Sequence, residues 1–322
     1  MATHVPRSVL THEHPRGSRA RRPPLLSEGA RVALVAPAGP LRGDADLARA
    51  IDNVRSFGWE PVVGEHALAR DGYFAGVDAQ RAADLNHALT DDSIDAVWCL
   101  RGGYGAMRIL DTLDYAAMAR RPKPIIGYSD ITALHAAFAR RSELVTYHGP
   151  TARAVMSAFS RDSLACALIH GGDSCGVATD ARVLRGGSAQ GILAGGNLSL
   201  LAALAGTPFA PRLDDTILVL EDVGEAVYRI DRMLRQLLLA GLLDGVRGIV
   251  FGMCTNCPEA SDDGARHLDD VIIEVADLLT VPAMSGVPIG HIDDQWTLPL
   301  GASAVLDTDR RTLAVQPTLT IA

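Results

Sequence analysis

Ile94-Asp-Ala-Val-Trp-Cys-Leu100 runs without a break into Arg101-Gly-Gly-Tyr-Gly105. A short apolar run that stops in a glycine cluster reads as a buried strand delivering a loop at its carboxyl end. The same pattern repeats on both sides. Upstream, Arg31-Val-Ala-Leu-Val-Ala-Pro37 ends in Pro37, Gly39 and Pro40, and Glu60-Pro-Val-Val63 gives a second strand. Downstream, Pro124-Ile-Ile-Gly127 leads into Tyr128, Ser129 and Asp130. Between these runs, apolar positions at helical spacing predict helices over about 44–57, 79–89, 107–113 and 131–140. Strands alternating with helices at this pitch imply βαβ units and a doubly wound parallel sheet. In such sheets, sites lie beyond the carboxyl ends of the strands, which is where the segments around Arg101 and Ser129 stand.

From about residue 151 the rhythm changes. Residues 151–184 read as a connector, and 185–322 as a second, β-rich α+β domain. Within it, Gly195-Gly-Asn-Leu-Ser199 reads as a glycine turn opening a helix, and Thr216-Ile-Leu-Val-Leu-Glu221 and Gly248-Ile-Val-Phe-Gly252 as strands. A helix is predicted over 226–243 and a terminal hairpin around Asp307-Thr-Asp-Arg310. Residues 1–28, rich in Arg, His and Pro, read as a leader without regular structure, so that 29–150 form the first domain.

With 322 residues, 48% of them hydrophobic and 21% charged, the chain has the composition of an ordinary globular protein. A net charge of −8 argues against nucleic acid as a partner, because phosphate binding needs a basic face. No run of 18 or more apolar residues is present to span a membrane. Arg21-Arg22 is followed by Pro23-Pro24 and not by an apolar stretch, so an export signal is not expected, and the protein is read as cytoplasmic. Five irregularly spaced cysteines offer no disulfide framework and fit a reducing compartment. Cys254-Thr-Asn-Cys257 has redox or zinc spacing but lacks a second ligand pair, and no nucleotide-binding glycine motif is complete. Neither a metal nor an organic cofactor is therefore expected.

Ser129 sits where a strand turns into a helix, and two readings stay open for it. Serine before a helix usually caps it, whereas a strand–turn–helix corner also exposes a nucleophile beside helix-terminal amides. The segment is not the G-x-S-x-G elbow, because Ile131 stands where the second glycine belongs. A serine nucleophile needs a base and a group to orient it. His291 follows a short apolar run in a glycine-flanked loop, His148 in Tyr147-His-Gly-Pro150 fits a site wall, and His135 fits a helix face. Glu221 closes an apolar strand, where a carboxylate must be paired, with Asp222 and Glu225 as rivals.

Five segments together resemble the L,D-carboxypeptidase family, which includes the microcin C self-immunity peptidases. They are Arg101-Gly-Gly-Tyr-Gly105, Gly127-Tyr-Ser-Asp-Ile131, Gly195-Gly-Asn-Leu-Ser199, Leu220-Glu-Asp-Val-Gly-Glu225 with Tyr228-Arg-Ile-Asp-Arg-Met-Leu234, and Gly290-His291 with Leu298-Pro-Leu-Gly301. The resemblance runs from about residue 30 onward. It implies a Ser129–Glu221–His291 triad and an oxyanion hole from the backbone amides of Asp130 and Gly103. It also implies cleavage of the bond to a terminal D-alanine in murein tetrapeptides, during cytosolic wall recycling, by a homodimer. A carboxypeptidase must also hold a free terminal carboxylate; Arg101 is the candidate cation, with Gly102, Tyr104 and His148 as further substrate contacts. Ile292 stands where many members carry glycine, which bears on the local loop. Two alternatives keep the same scaffold: an immunity-type peptidase acting on a peptidyl-nucleotide, and a catalytically silent ligand-binding protein.

Overall fold

A computed structural model describes residues 20–258 and 266–317. The first part contributes strands β1 (Arg31–Val35), β2 (Glu60–Val63), β3 (Ala96–Cys99), β4 (Ile125–Gly127) and β5 (Thr146–His148). The remainder contributes β6 (Gly176–Val177), β7 (Arg182–Arg185), β8 (Ser188–Asn197), β9 (Thr216–Val223) and β10 (Gly248–Thr255). Last come β11 (Ala283–Ser285), β12 (Leu298–Leu300), β13 (Ser303–Asp307) and β14 (Thr312–Val315). The helices are α1 (Asp44–Arg55), α2 (Asp78–Thr90), α3 (Tyr115–Arg120), α4 (Thr132–Ser142), α5 (Ala158–Ala165), α6 (Leu198–Leu204), α7 (Val227–Leu239) and α8 (Leu268–Leu279).

The first sheet has the order β12-β5-β4-β3-β1-β2 and is parallel except for β12. Alternate residues of its central strands feed two separate cores. Ala33, Val35, Val97 and Cys99 enter one cluster with α2 and α4, and Val32, Leu34, Ala96 and Trp98 enter the other with α1. Helices on both faces explain why these strands read as unbroken apolar runs. The expected doubly wound sheet is therefore present, with an edge strand, β12, that comes from far along the chain.

The second sheet has the order β6-β14-β13-β8-β9-β10-β11-β7. Its middle, β8 to β11, is parallel, and antiparallel strands flank it on both sides. Leu218, Leu220, Ile249 and Phe251 pack under α7 and α8, while Ile217, Val219 and Val250 face a second cluster with Ile289 and Trp296.

Three expectations change. Residues 20–28, assigned to the leader, are part of the fold: Leu26 is buried and its amide donates to Leu168 O at 2.8 Å; the first 19 residues lie outside the described ones. Gly195 and Gly196 are not a turn but the end of β8, where neighbouring chains approach too closely for a side chain. A Cβ at Gly195 would lie 1.8 Å from Val219 O, and one at Gly196 would lie 2.5 Å from Thr132 Oγ1. Cys254 and Cys257 are joined by a disulfide, although the cysteine pattern gave no framework. Among the described residues, no helix is long and apolar enough to cross a membrane.

Candidate active site

β4 delivers Gly127, and the chain then makes a single 3-10 turn, Ser129–Ile131, before α4. Ser129 takes φ 65°, a left-handed conformation costing on the order of 1 kcal/mol or more for a residue with a side chain. Surrounding contacts hold it there. Asp130, buried, accepts from Ala106 N at 2.8 Å and so ties the corner to the glycine loop after β3. Burial pushes its carboxyl up to about 6. Thr132 Oγ1 accepts from Asn197 N at 3.0 Å, which fixes the start of α4 against the end of β8. His135 donates from Nε2 to Gly127 O at 2.8 Å, behind the nucleophile strand.

His291 arrives on the loop that leaves the second sheet after β11. Met253 N donates to Ile289 O at 2.8 Å, and Thr255 Oγ1 donates to His291 O at 3.1 Å. Gly290 adopts φ 117°, and a Cβ there would stand 3.1 Å from Glu221 Oε2. Only glycine lets the histidine loop lie directly on the carboxylate. His291 Nε2 is 3.0 Å from Ser129 Oγ, and Nδ1 is 2.8 Å from Glu221 Oε2. The nitrogen facing a carboxylate carries the proton, which leaves Nε2 free to accept from the serine hydroxyl. Glu221 is fully buried, while the His291 side chain keeps 21% exposure, so the imidazole faces the groove. Tyr128 stacks edge-on to it, ring centroids 4.8 Å apart.

The rivals of Glu221 have other partners. Asp222 accepts from Asn197 Nδ2 at 3.2 Å, and from Ser199 N and Oγ at 2.9 and 2.8 Å. The Gly195–Ser199 motif thus holds Asp222, one residue from Glu221. Glu225 pairs with Arg229 at 3.5 Å on the surface. Sequence reasoning did not see the Asn197–Asp222 link, because it joins segments 25 residues apart.

Gly102 packs on Ser129: a Cβ there would lie 2.9 Å from Ser129 Cβ and 3.1 Å from its Oγ. Gly103 follows at φ 108°, against Gly39. Tyr104 is 48% exposed and stands in an aromatic group with Tyr73 and Phe74, centroids 5.8 and 5.6 Å away. Arg101 donates to Pro40 O at 2.5 Å. His148, expected to wall the site, has no exposed surface; it lies behind Tyr128, centroids 6.0 Å apart, where substrate does not reach. Burial lowers its pKa to about 3 and that of His135 to about 4, so both are neutral.

A cavity of about 420 Å³ opens beside His291 and Tyr128, lined by Arg42, Asp46, Arg49 and Arg153 among others. No motif or periodicity marks these arginines, which lie on α1, the turn before it and the segment after β5. A hydroxyl, an imidazole and a buried carboxylate in one hydrogen-bonded line can activate the hydroxyl for attack on an acyl carbon.

Comparison with known proteins agrees along most of the length. Residues 32–149 match the LD-carboxypeptidase N-terminal domain family, and residues 190–306 the LD-carboxypeptidase C-terminal domain family. A putative carboxypeptidase of Streptomyces coelicolor is 43% identical over 302 residues, covering 91% of this chain and 96% of that protein. The murein tetrapeptide carboxypeptidase of Pseudomonas aeruginosa is 38% identical over 294 residues, covering 87% and 94%. Among solved structures, MccF in complex with glutamyl sulfamoyl guanosine superposes with a TM-score of 0.83 at 23% identity, over 92% of this chain and 98% of that one. At that identity the likeness speaks for the fold.

Proposed function

The chain belongs to the LD-carboxypeptidase family, and we propose that it is a serine L,D-carboxypeptidase that removes the terminal D-alanine from murein tetrapeptides. The observation that carries this reading is the unbroken line from Ser129 Oγ through His291 to the buried Glu221. The murein activity named for the Pseudomonas aeruginosa relative supports the substrate.

In this mechanism Ser129 Oγ attacks the carbonyl carbon of the scissile bond as His291 Nε2 takes its proton. Glu221 orients the ring and stabilises the imidazolium. The amides of Asp130 and Gly103 receive the oxyanion, and Gly102, lacking a side chain, lets the substrate approach the nucleophile. His291 then gives the proton to the leaving amine. Water, activated by the same imidazole, hydrolyses the acyl-serine and regenerates the enzyme. No step needs a metal or organic cofactor.

A role in peptidoglycan recycling, cytoplasmic residence and a homodimeric state complete the proposal; light scattering on the purified protein tests the last. The deciding experiment measures D-alanine release from a murein tetrapeptide. Wild type is expected to release it and Ser129→Ala to release none; equal rates would overturn the reading. A second reading, hydrolysis of a peptidyl-nucleotide of the microcin C type, uses the same line of residues, and the fold shared with MccF supports it. An aminoacyl-sulfamoyl adenylate assayed beside the tetrapeptide separates the two. A silent ligand-binding protein would have no use for so complete a relay, and labelling of Ser129 by a serine-directed phosphonate would exclude it.

A further inference from the structure

Three guanidiniums, those of Arg42, Arg49 and Arg153, line the cavity beside His291, and one buried carboxylate, Asp46, faces them. That carboxylate does not saturate them. Its bonds to guanidiniums are long, Arg49 Nη1 at 3.3 Å and Arg153 Nη1 at 3.5 Å, and its other bond, at 3.1 Å, is to the Arg42 backbone amide. Each guanidinium carries five N–H donors. Arg153 Nε is buried without a hydrogen-bond partner, and the Arg42 side chain makes no hydrogen bond or ion pair to the described residues. A second acid, Asp293, lies on the rim and is exposed to solvent, which weakens its pull on the arginines.

Arg153 is mostly buried, Arg49 is half-buried and Arg42 is exposed; a cluster of cations without enough counter-charge, with Arg153 at its buried end, is complementary to an anion. Arginine suits a carboxylate better than lysine does, because its planar fork donates two parallel bonds. The position of the anion follows from the chemistry proposed above. His291 Nε2 has to hand its proton to the leaving amine, so the leaving residue lies against the imidazole. In an α-amino acid the carboxylate is two bonds from that amine. Its binding group therefore belongs on the His291 side, where this cavity lies, and not beyond the glycine loop.

We infer that the cavity between α1 and the His291 loop is the subsite for the α-carboxylate of the residue being released, with Arg153 as its anchor and Arg42 and Arg49 as flanking cations. Arg101, the cation the sequence singled out, has its guanidinium turned to the Pro40 carbonyl and does not line the cavity. It adds positive field instead: burial, and then the like charges of Arg153 and Arg42, hold its pKa below the usual arginine value. The subsite would make the enzyme an exopeptidase, since an internal peptide bond brings no carboxylate to this place.

This inference rests on the proposed peptidase reaction, and its test separates the two. The tetrapeptide is compared with one carrying only a terminal carboxamide and one amidated only on an acyl-side carboxylate. Wild type is expected to lose about 10- to 100-fold in kcat/KM on the terminal amide and little on the other. In Arg153→Gln the free-acid tetrapeptide should fall by a similar factor, mostly through KM, while the terminal amide is unaffected, so that the preference disappears; Arg153→Lys should restore part of it. Equal losses on acid and amide in Arg153→Gln, or a wild type indifferent to terminal amidation, would overturn the assignment. If no substrate is turned over, the peptidase reading fails on its own. Calorimetric binding of the same three peptides to Ser129→Ala, with and without Arg153→Gln, still decides the subsite, by the same acid-over-amide ratio.

Discussion

Glu221 Oε2 stands 2.8 Å from His291 Nδ1 on a side chain with no solvent exposure, while its other oxygen, Oε1, is buried without a partner. In the proposed mechanism this buried carboxylate, with one bond, serves to fix the imidazole tautomer. Glu221→Gln keeps the shape but offers an amide to Nδ1. We expect kcat to fall by about 10³- to 10⁴-fold with KM little changed, measured as D-alanine release by a variant of native circular dichroism. A loss under tenfold would remove Glu221 from the relay.

Ser129 is held at φ 65° against its own side chain. Ser129→Gly should therefore be more stable than Ser129→Ala by about 1 kcal/mol in urea unfolding, with both inactive. An alanine variant as stable as the glycine one would mean that the corner stores no strain.

Gly102 is not among the positive-φ glycines, so alanine there meets no left-handed strain, only Ser129. With a Cβ 2.9 Å from Ser129 Cβ and 3.2 Å from Tyr128 O, Gly102→Ala should displace the hydroxyl. The expected result is a fall in kcat of about 10²-fold with a small change in stability.

His135 and His148 are neutral in the fold, with pKa values near 4 and 3 against 6.5 when unfolded. Between about pH 4 and 6 the unfolded chain thus binds two more protons at these sites. Stability from the pair is complete above 6.5 and is lost as pH falls. Asp130 works in the opposite sense: raised to about 6 from 3.8, it binds its proton in the fold, and its contribution is lost as pH rises through 6. One proton net remains, so stability should fall by about 1.4 kcal/mol per unit of acidification in that window. His148→Asn should make the urea midpoint nearly flat across it.

Much of this was legible beforehand for a physical reason. Strands covered on both faces must be apolar throughout, so β1, β3, β4 and β9 announce themselves, and the polar residues that interrupt or follow them, Arg101 after β3, Ser129 after β4 and Glu221 within β9, stand out by contrast. Short strands such as β5 and β12, three residues each, carry too little pattern to read. The Gly195–Gly196 pair was misread because glycine serves a turn and a close strand approach equally well. The arginines of the cavity were invisible because surface-type residues on separate elements have no periodicity; only the fold brings residue 42 to residue 153.

The edge strand β12, residues 298–300, completes the first sheet by pairing with β5, residues 146–148. Translation runs in one direction, so the sheet that presents Ser129 is made early and waits, with an open border, for a strand that follows long after β5. His291 emerges only just ahead of that strand. A ribosome-bound fragment that stops short of residue 291 therefore holds Ser129 without His291, and the Ser129–His291 contact and closure of the sheet arrive together.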